Sequence, residues 1–427
     1  MAVTLTADER AIAAGQRGEG AAMAMRIVAE TARLMGADRL LPIESAHIDG
    51  ALYHGDSGTL FAEKLVAGGA RVSVRATLNV GAIDLTGCSR NRLPPHEHAM
   101  ASRMMHAYRE LGCEPTWTCA PYQAGHRPRF GSHVAWGESN AVAFCNSVLG
   151  ARTNRYGDFL DIACAIAGRA PDYGLHRTEH RVASIVFDVS SLDPSFVASD
   201  IAWPVLGNLF GRLIGNAVGV VAGVRSSPGE DALKGFGAAA ASSGAVGLFH
   251  IAGVTPEAPN LETALGEPQE PARRSSRSER RWEHIVVTPG MVIDSQRRLS
   301  TAEPADRIDA VAIGSPHLSI DEFDRLQRLL ANRRLAVPIY ACTGRHTLAQ
   351  LGPRRAELEQ SGVVVVADTC VVVTPILPAT PGAVLMTNSG KFAHYAPSNT
   401  GYSVLYASLA DCVESAVAGK PIIGGRV

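Results

Sequence analysis

The chain has 427 residues, 46% of them hydrophobic, which is enough for a large core and too long for one ordinary domain, so two domains are expected. Forty basic residues against 41 acidic ones leave a formal net charge of −1, which gives no global electrostatic reason to bind nucleic acid or an anionic membrane. The first ten residues, MAVTLTADER, lack a basic segment followed by an apolar one, so no signal peptide is expected and a cytoplasmic location follows.

Thr6-Ala7-Asp8-Glu9 has the form of a capping box, so a short helix should follow and stop near Gly15. A second helix fits 20–34 and ends at Gly36. The run LLPIESAHIDG then reads as a strand closed by a turn. Residues 71–80 alternate like a strand that breaks at Asn79 and Gly81. From about 97 to 250 the pattern reads as helices and glycine-rich turns, with a helix over 231–243. The apolar stretch 202–224 carries glycines at 207, 211, 215, 219 and 223, a smooth stripe against which another backbone can close. Asn208, Arg212 and Asn216 interrupt it, and a mid-span arginine is costly in lipid, so a tightly packed buried helix is expected rather than a membrane span. Residues 265–283 are polar and proline-containing, and their arginines at 273, 274, 277, 280 and 281 are read as a solvated loop rather than a nucleic-acid patch.

Beyond that loop three apolar runs each end in polar, reactive residues. IDAVAIG leads into Ser315-Pro316-His317, LAVPIYA into Cys342-Thr343-Gly344, and VVVVAD into Thr369-Cys370, with helical patterns between them. Strand–helix alternation predicts a parallel α/β sheet, and ligands of such sheets collect beyond the carboxyl ends of the strands. Ser315, Cys342 and Cys370 are therefore expected on one edge. The division predicted is 1–284 for a catalytic α/β region and 285–427 for a second α/β domain.

The eight cysteines, at 88, 113, 119, 145, 164, 342, 370 and 412, show no CxxC pairing, so buried thiols, catalytic thiols or metal ligands are favoured over disulfides or zinc. Cys88, Cys113, Cys145, Cys164 and Cys412 are read as structural. The densest chemistry lies between Cys113 and Arg155. Glu138, Ser139 and Asn140 follow the apolar HVAW, and Arg152 and Arg155, three apart, are placed to hold a carboxylate together. His47 and His54 either line a site or cap turns, and His250 is read as a core histidine.

PTWTCAPYQ (115–123), HVAWGESNAVAF (133–144), NSVLGARTNRYGDFLD (146–161), ADTC (367–370) and TNSGK (387–391) together resemble the aconitase X family, as do HIDGALYHGDSG (47–58), ATLNVGAIDL (76–85) and SSGAVGLFHIAGVTPEA (242–258). The likeness runs in order along nearly the whole chain. It implies an aconitase-like, multi-layer α/β fold with parallel sheets, and a dehydratase with an iron–sulfur cluster, two-iron or larger. It further implies a small swivelling domain, fused or separate. The chain stops at GKPIIGGRV, so the expectation is a large subunit that works with a separate small one. ARTNRYGDFLDI and YGLH (173–176) resemble the bacterial enzymes acting on cis-3-hydroxy-L-proline more than the archaeal ones acting on mevalonate 5-phosphate, which is the alternative substrate. A non-catalytic metal- or ligand-binding scaffold is the alternative of another class.

Cys119 and Cys370 match the family's cysteines and are the expected metal ligands. Cys342 is either a third ligand, on topology alone, or a strand-end packing residue. One departure stands out: some members carry cysteine where this chain has Ser315, and a hydroxyl is a poorer iron ligand than a thiolate. Dehydration needs a polarised hydroxyl, a base for the α-proton and positive charge near the carboxylate. Lys391, Arg152 and Arg155 are candidates for the charge, with Ser389 beside Lys391 in a turn that is either functional or plain surface. Glu138 is the base candidate within the chain, since in the related aconitases a swivel-domain serine takes that role. His47, Asn79, Asp84, Ser139, Asn140 and Thr153 complete the expected substrate contacts.

Overall fold

The computed structural model describes residues 3–86, 90–266, 282–303 and 307–424. Cys88 and the five arginines at 273–281 lie outside the described residues. Cα packing divides the chain into two compact units. One comprises 1–181 with 344–346 and 367–369, and the other comprises 182–343, 347–366 and 370–427.

The first unit opens as the sequence predicts. Thr6 caps the helix Ala7–Ala13 in a full capping box, its hydroxyl accepting from the Glu9 N–H at 3.2 Å while the Glu9 carboxylate accepts from Thr6 N–H at 2.8 Å. The next helix spans Glu19–Leu34. The expected single strand is two, β1 (Leu40–Pro42) and β2 (Ser45–Ile48), split at Ile43-Glu44. β3 is Arg75–Leu78, β4 the two residues Ala135–Trp136, and β5 is Arg169–Pro171. β2 lies between β3 and β4, parallel to both, while β1 and β5 pair antiparallel. Trp117, Trp136 and Tyr108 are buried in this unit.

The second unit holds two parallel sheets. β6 (Ile185–Asp188), β7 (Gly219–Ala222), β8 (Phe249–Ile251) and β9 (Glu283–Val286) run in the order β8-β7-β6-β9, with every pair parallel. The middle of the chain is thus not only helices and turns. Of these, β6, β7 and β8 are three or four residues long and mostly buried, so they show no alternation for a sequence pattern to catch. The stretch 202–224 divides into the helix Ala202–Ile214, a turn at Gly215 (φ 65°) and β7. A Cβ at Gly207 would sit 2.3 Å from the Phe236 carbonyl oxygen, and one at Gly211 2.4 Å from that of Ala240, so glycine is what lets this helix close on Glu230–Ser243. No helix among the described residues is long and apolar enough to cross a membrane.

The second sheet carries β10 (Ala310–Ile313), β11 (Ile339–Thr343), β12 (Val363–Ala367), β13 (Val384–Thr387) and β14 (Ser403–Tyr406) in the order β12-β11-β10-β13-β14. The three runs predicted from sequence are β10, β11 and β12. The connecting helices are Ile320–Leu330, with its own capping box from Ser319 and Glu322, and then the pair Arg345–Leu351 and Arg354–Ser361. Val311, Ile313, Phe323, Leu326, Ile339 and Leu405 form the core here, each fully buried large side chain contributing about 1.5–3 kcal/mol.

Lys234 is the least expected core residue. It is 2% exposed, yet its ammonium meets the Asp231 carboxylate at 3.0 Å, the Glu322 carboxylate and the His317 carbonyl oxygen at 3.2 Å. Burial alone would push it down, but Glu322 and Asp231 outweigh that and hold its pKa above the ordinary lysine value. Ser319 adds a hydroxyl to Asp231 at 2.8 Å.

Candidate functional site

Chemistry-bearing residues gather at the carboxyl ends of the parallel strands in each unit. In the second unit Gly314 ends β10 with φ 92°, and a Cβ there would lie 2.2 Å from the Cys342 carbonyl oxygen, so only glycine lets the next residues turn across the end of β11. Leu318 N–H then donates to that carbonyl at 3.0 Å, and the Thr343 hydroxyl donates to Leu318 O at 2.9 Å. Cys342 is in β11 itself and Cys370 lies three residues past β12.

The two thiols meet. Cys370 lies in hydrogen-bond contact with Cys342, and this contact, with the Val372 backbone, the Lys391 charge and the Ser315 hydroxyl, draws its pKa below that of an ordinary thiol against the opposing effect of burial. By contrast, burial pushes the thiols of Cys113, Cys145 and Cys412 well above the ordinary range, as for inert core thiols. Ser389 caps the helix Gly390–Thr400, accepting from Phe392 N–H at 3.0 Å, and its hydroxyl donates to the Ser315 carbonyl oxygen. Ser315, Cys342, Cys370, Ser389 and Lys391 are thus brought together. Among the described residues no three His, Cys, Asp or Glu side chains group closely enough to hold a metal ion. A buried thiol pair, one member of it drawn toward the thiolate, with a neighbouring hydroxyl still suits a soft, thiolate-bound metal centre, with the remaining ligands left to other groups.

In the first unit Asp49 follows β2, Asn79 follows β3, and Gly137, Glu138 and Ser139 follow β4. Asn79 donates through Nδ2 to Asp49 Oδ1, and Asn79 Oδ1 is buried without a hydrogen-bond partner. Glu138 caps the short helix Ser139–Phe144, Oε2 accepting from Ala141 N–H at 2.7 Å and Oε1 from the Ser139 hydroxyl at 3.3 Å. Asn140 is fully buried and donates to the Cys119 carbonyl oxygen at 3.1 Å, which ties the PTWTCAPY segment to the ESNAVAF helix. Cys119 is itself buried.

The other expected residues sit elsewhere. Asp84 accepts from Ala367 N–H at 3.0 Å and from the Thr86 N–H and hydroxyl at 2.7 Å each. Thr153 accepts from Trp136 N–H at 3.0 Å and donates to Asn154 O at 3.0 Å. Both are committed to internal hydrogen bonds. His47 is fully buried, bonded to Thr77 Oγ1 at 2.9 Å, with His126 on the other side of that hydroxyl at 2.7 Å and Ser45 beyond at 2.9 Å. Burial brings both imidazoles down to about 3, so they are neutral core groups. His250 is likewise buried, in β8, while His54 is exposed.

Arg152 and Arg155 lie in a segment that carries no helix, so a spacing of three does not align their side chains as it would on one. Arg152 bridges to His133, ahead of β4, and donates to His176 O at 3.1 Å and Thr178 Oγ1 at 2.9 Å. It lines a polar hollow of about 400 Å³ with Arg39, Asp172 and Arg177, at the amino end of the sheet whose carboxyl end carries Asn79 and Glu138. Arg155 is exposed.

Sequence reasoning did not single out Asp49, Asp161 or Lys234. Asp161 is wholly buried and accepts from Asp49 N–H at 2.6 Å and Gly50 N–H at 3.3 Å, yet burial raises it to about 8. A lone aspartate in an apolar helix, LDIACAIA, was the available signal.

Parallel sheets with polar and thiol side chains at their carboxyl ends define a mixed α/β protein with a strand-end site of the enzyme type. Three family models match along the chain: aconitase X first domain over 2–179, second domain over 183–285 and third domain over 308–418. The chain belongs to the aconitase X family.

Among curated relatives, it is 42% identical to the cis-3-hydroxy-L-proline dehydratase of Pseudomonas aeruginosa, over 98% of this chain and 71% of that protein. It is 38% identical to the enzyme of the same name from Hypocrea jecorina, over 98% of this chain and 69% of that protein. The phosphomevalonate dehydratase large subunit of Methanosarcina mazei is 34% identical over 97% of this chain and 98% of its own length. The crystal structure of Thermococcus kodakaraensis aconitase X in its holo-form superposes with a TM-score of 0.83 at 32% identity, covering 97% of this chain and all of that one. The family suggests a metal cofactor, and relatives named as large subunits imply a small partner subunit in the family.

Proposed function

We propose that the chain is the catalytic polypeptide of a hydro-lyase that converts cis-3-hydroxy-L-proline to Δ1-pyrroline-2-carboxylate and water. The observation that carries this reading is the order of similarity: 42% and 38% identity to the two hydroxyproline dehydratases, against 34% to the Methanosarcina mazei phosphomevalonate dehydratase large subunit. The likeness to the Methanosarcina mazei protein, named a large subunit, keeps mevalonate 5-phosphate as the second substrate reading and supports an enzyme of two subunits. A small swivel-domain subunit is accordingly proposed as the partner, in the cytoplasm.

Cys342 and Cys370 would hold an iron–sulfur cluster, with Cys119 as the third proposed ligand. When bound, such a cluster supplies the Lewis acid that polarises the departing C3 hydroxyl. The chain's own part is to manage charge and protons. Losing the C2 proton puts negative charge on the carbon beside the carboxylate, and Lys391 offers a cation to that carboxylate, with Ser389 fixing its turn. Glu138 is the proton acceptor proposed within the chain, and Ser139 and Asn140 hold its surroundings. As the C2 proton and C3 hydroxide leave together as water, an enamine remains. It takes a proton at C3 and gives up its N–H to become the ring imine.

The test is anaerobic co-expression with a swivel-domain small protein, then iron and sulfide analysis and an assay for pyrroline-2-carboxylate. A brown complex that forms product is expected. A brown complex inert to hydroxyproline and active on mevalonate 5-phosphate would transfer the function to the second reading. A complex that stays colourless after reconstitution would sink the cluster.

A further inference from the structure

We propose that Asp49 is the anchor for the positively charged ring nitrogen of the substrate, held in position by Asn79. The inference deepens the reading above and rests on it, because cis-3-hydroxy-L-proline carries a secondary ammonium and mevalonate 5-phosphate carries no nitrogen.

Position argues first. Asp49 is the residue after β2, the central strand of the parallel sheet β3-β2-β4, and ligands of parallel sheets bind beyond strand carboxyl ends. It is half-buried, where the neighbouring Asn79 and Asp161 are buried.

Its placement is rigid. The Asp49 N–H donates to Asp161 at 2.6 Å, and the following Gly50 N–H donates to the same oxygen at 3.3 Å. On the β4 side, a Cβ at Gly137 would come within 2.8 Å of Asp49 Cβ and 2.7 Å of Asp161 Oδ2, so the backbone after β4 presses directly on this acid. The carboxylate is aimed by Asn79, whose Nδ2 donates to Oδ1. That bond also fixes which way the amide points, since only its NH2 end can face a carboxylate. Asn79 Oδ1 is left buried with no partner, and a buried acceptor without a donor calls for one. A secondary ammonium has two N–H groups, and Asp49 with Asn79 offers a charged and a neutral acceptor side by side.

The neighbouring acid leaves Asp49 as the charged partner. Burial raises Asp161 to about 8, with the Asp49 charge adding to the rise, so near neutral pH Asp161 stays largely protonated and does not compete for the ammonium.

The experiment uses the assembled enzyme and compares ligands with and without the ring nitrogen. With the wild type, L-proline should bind or inhibit at least about ten-fold more tightly than cyclopentanecarboxylate, which keeps the ring and carboxylate and lacks the ammonium. Asp49→Asn should remove that preference and raise KM for cis-3-hydroxy-L-proline about ten-fold or more, while leaving cyclopentanecarboxylate binding unchanged. Asp49→Glu should recover part of the preference. Equal wild-type affinity for the two ligands would overturn the proposal, as would an Asp49→Asn variant that weakens both alike or neither. The wild-type comparison decides even if the variant fails to fold. Because it reads binding by calorimetry, it also separates the anchor from turnover: a wild type that prefers L-proline but does not dehydrate hydroxyproline would defeat the proposed reaction and leave the anchor standing.

Discussion

The two strand-end edges of this protein are built from opposite materials. In the second unit the edge is soft: two thiols in contact, two hydroxyls and a lysine, around strands four or five residues long with a dense aliphatic core behind them. In the first unit the edge is hard: an aspartate, an asparagine and a glutamate on strands of two to four residues, backed by aromatic rings and neutral histidines. Thiols are soft donors and carboxylates and amides hard ones, so the two edges differ in the kind of ligand each would take.

Their scaffolds also fail differently, and this can be used to break one without the other. The largest effect is expected in the second unit. Lys234→Met removes the cation from between Asp231 and Glu322 and should cost about 3–5 kcal/mol, since two partly buried carboxylates are left facing each other. Chemical denaturation should show it, with hydrogen exchange confining the loosening to Glu230–Ser243 and Ile320–Leu330. A cost below about 1 kcal/mol would mean the triad contributes no more than a surface pair does.

Acid should act on the first unit instead. His47, His126 and His176 each have a folded pKa of about 3, brought down by burial, against an ordinary value of 6.5. The unfolded chain binds these protons first. The stabilisation is therefore complete above pH 6.5 and is lost as pH falls from there toward 3, at about 1.4 kcal/mol per pH unit per histidine. Unfolding measured from pH 7 to 5 should show exchange protection falling first around β2, β3 and β4. Equal loss in both units would remove the histidines as the cause.

The smallest effect tests the glycine stripe. Gly211→Ala puts a methyl against the Ala240 carbonyl oxygen and the Ser243 hydroxyl and should cost about 1–3 kcal/mol in thermal melting. Gly215→Ala, whose Cβ would meet nothing but whose φ is 65°, should cost less, about 1 kcal/mol. Equal costs would show that backbone conformation, not close approach, governs the stripe.

Legibility followed the same divide. The second-unit edge was readable because each of β10, β11 and β12 is a continuous apolar run that stops at a reactive residue, and parallel topology alone then brings the stops together. Strands β6, β7 and β8 went unread because three- and four-residue buried strands lack both length and alternation. Arg152 and Arg155 stand three apart in a segment without a helix, so spacing alone does not bring them to one carboxylate. Asp84 and Thr153 look as reactive in sequence as Asp49 does, and nothing local shows that the first two accept from backbone N–H groups while Asp49 accepts from an asparagine amide.

What the sequence determined by itself was whatever is encoded over a few neighbouring residues: the capping box at Thr6, the parallel run from β10 to β12, the close-packing glycines and the family motifs. What only the tertiary structure decided was which polar groups are already satisfied. That depends on partners distant in the chain, such as Asp49 with Asn79 and Asp161, or Lys234 with Glu322. A hydrogen bond between residues 88 or 112 positions apart leaves no periodic trace in either segment, yet it settles which side chains are structural and which remain available to a ligand.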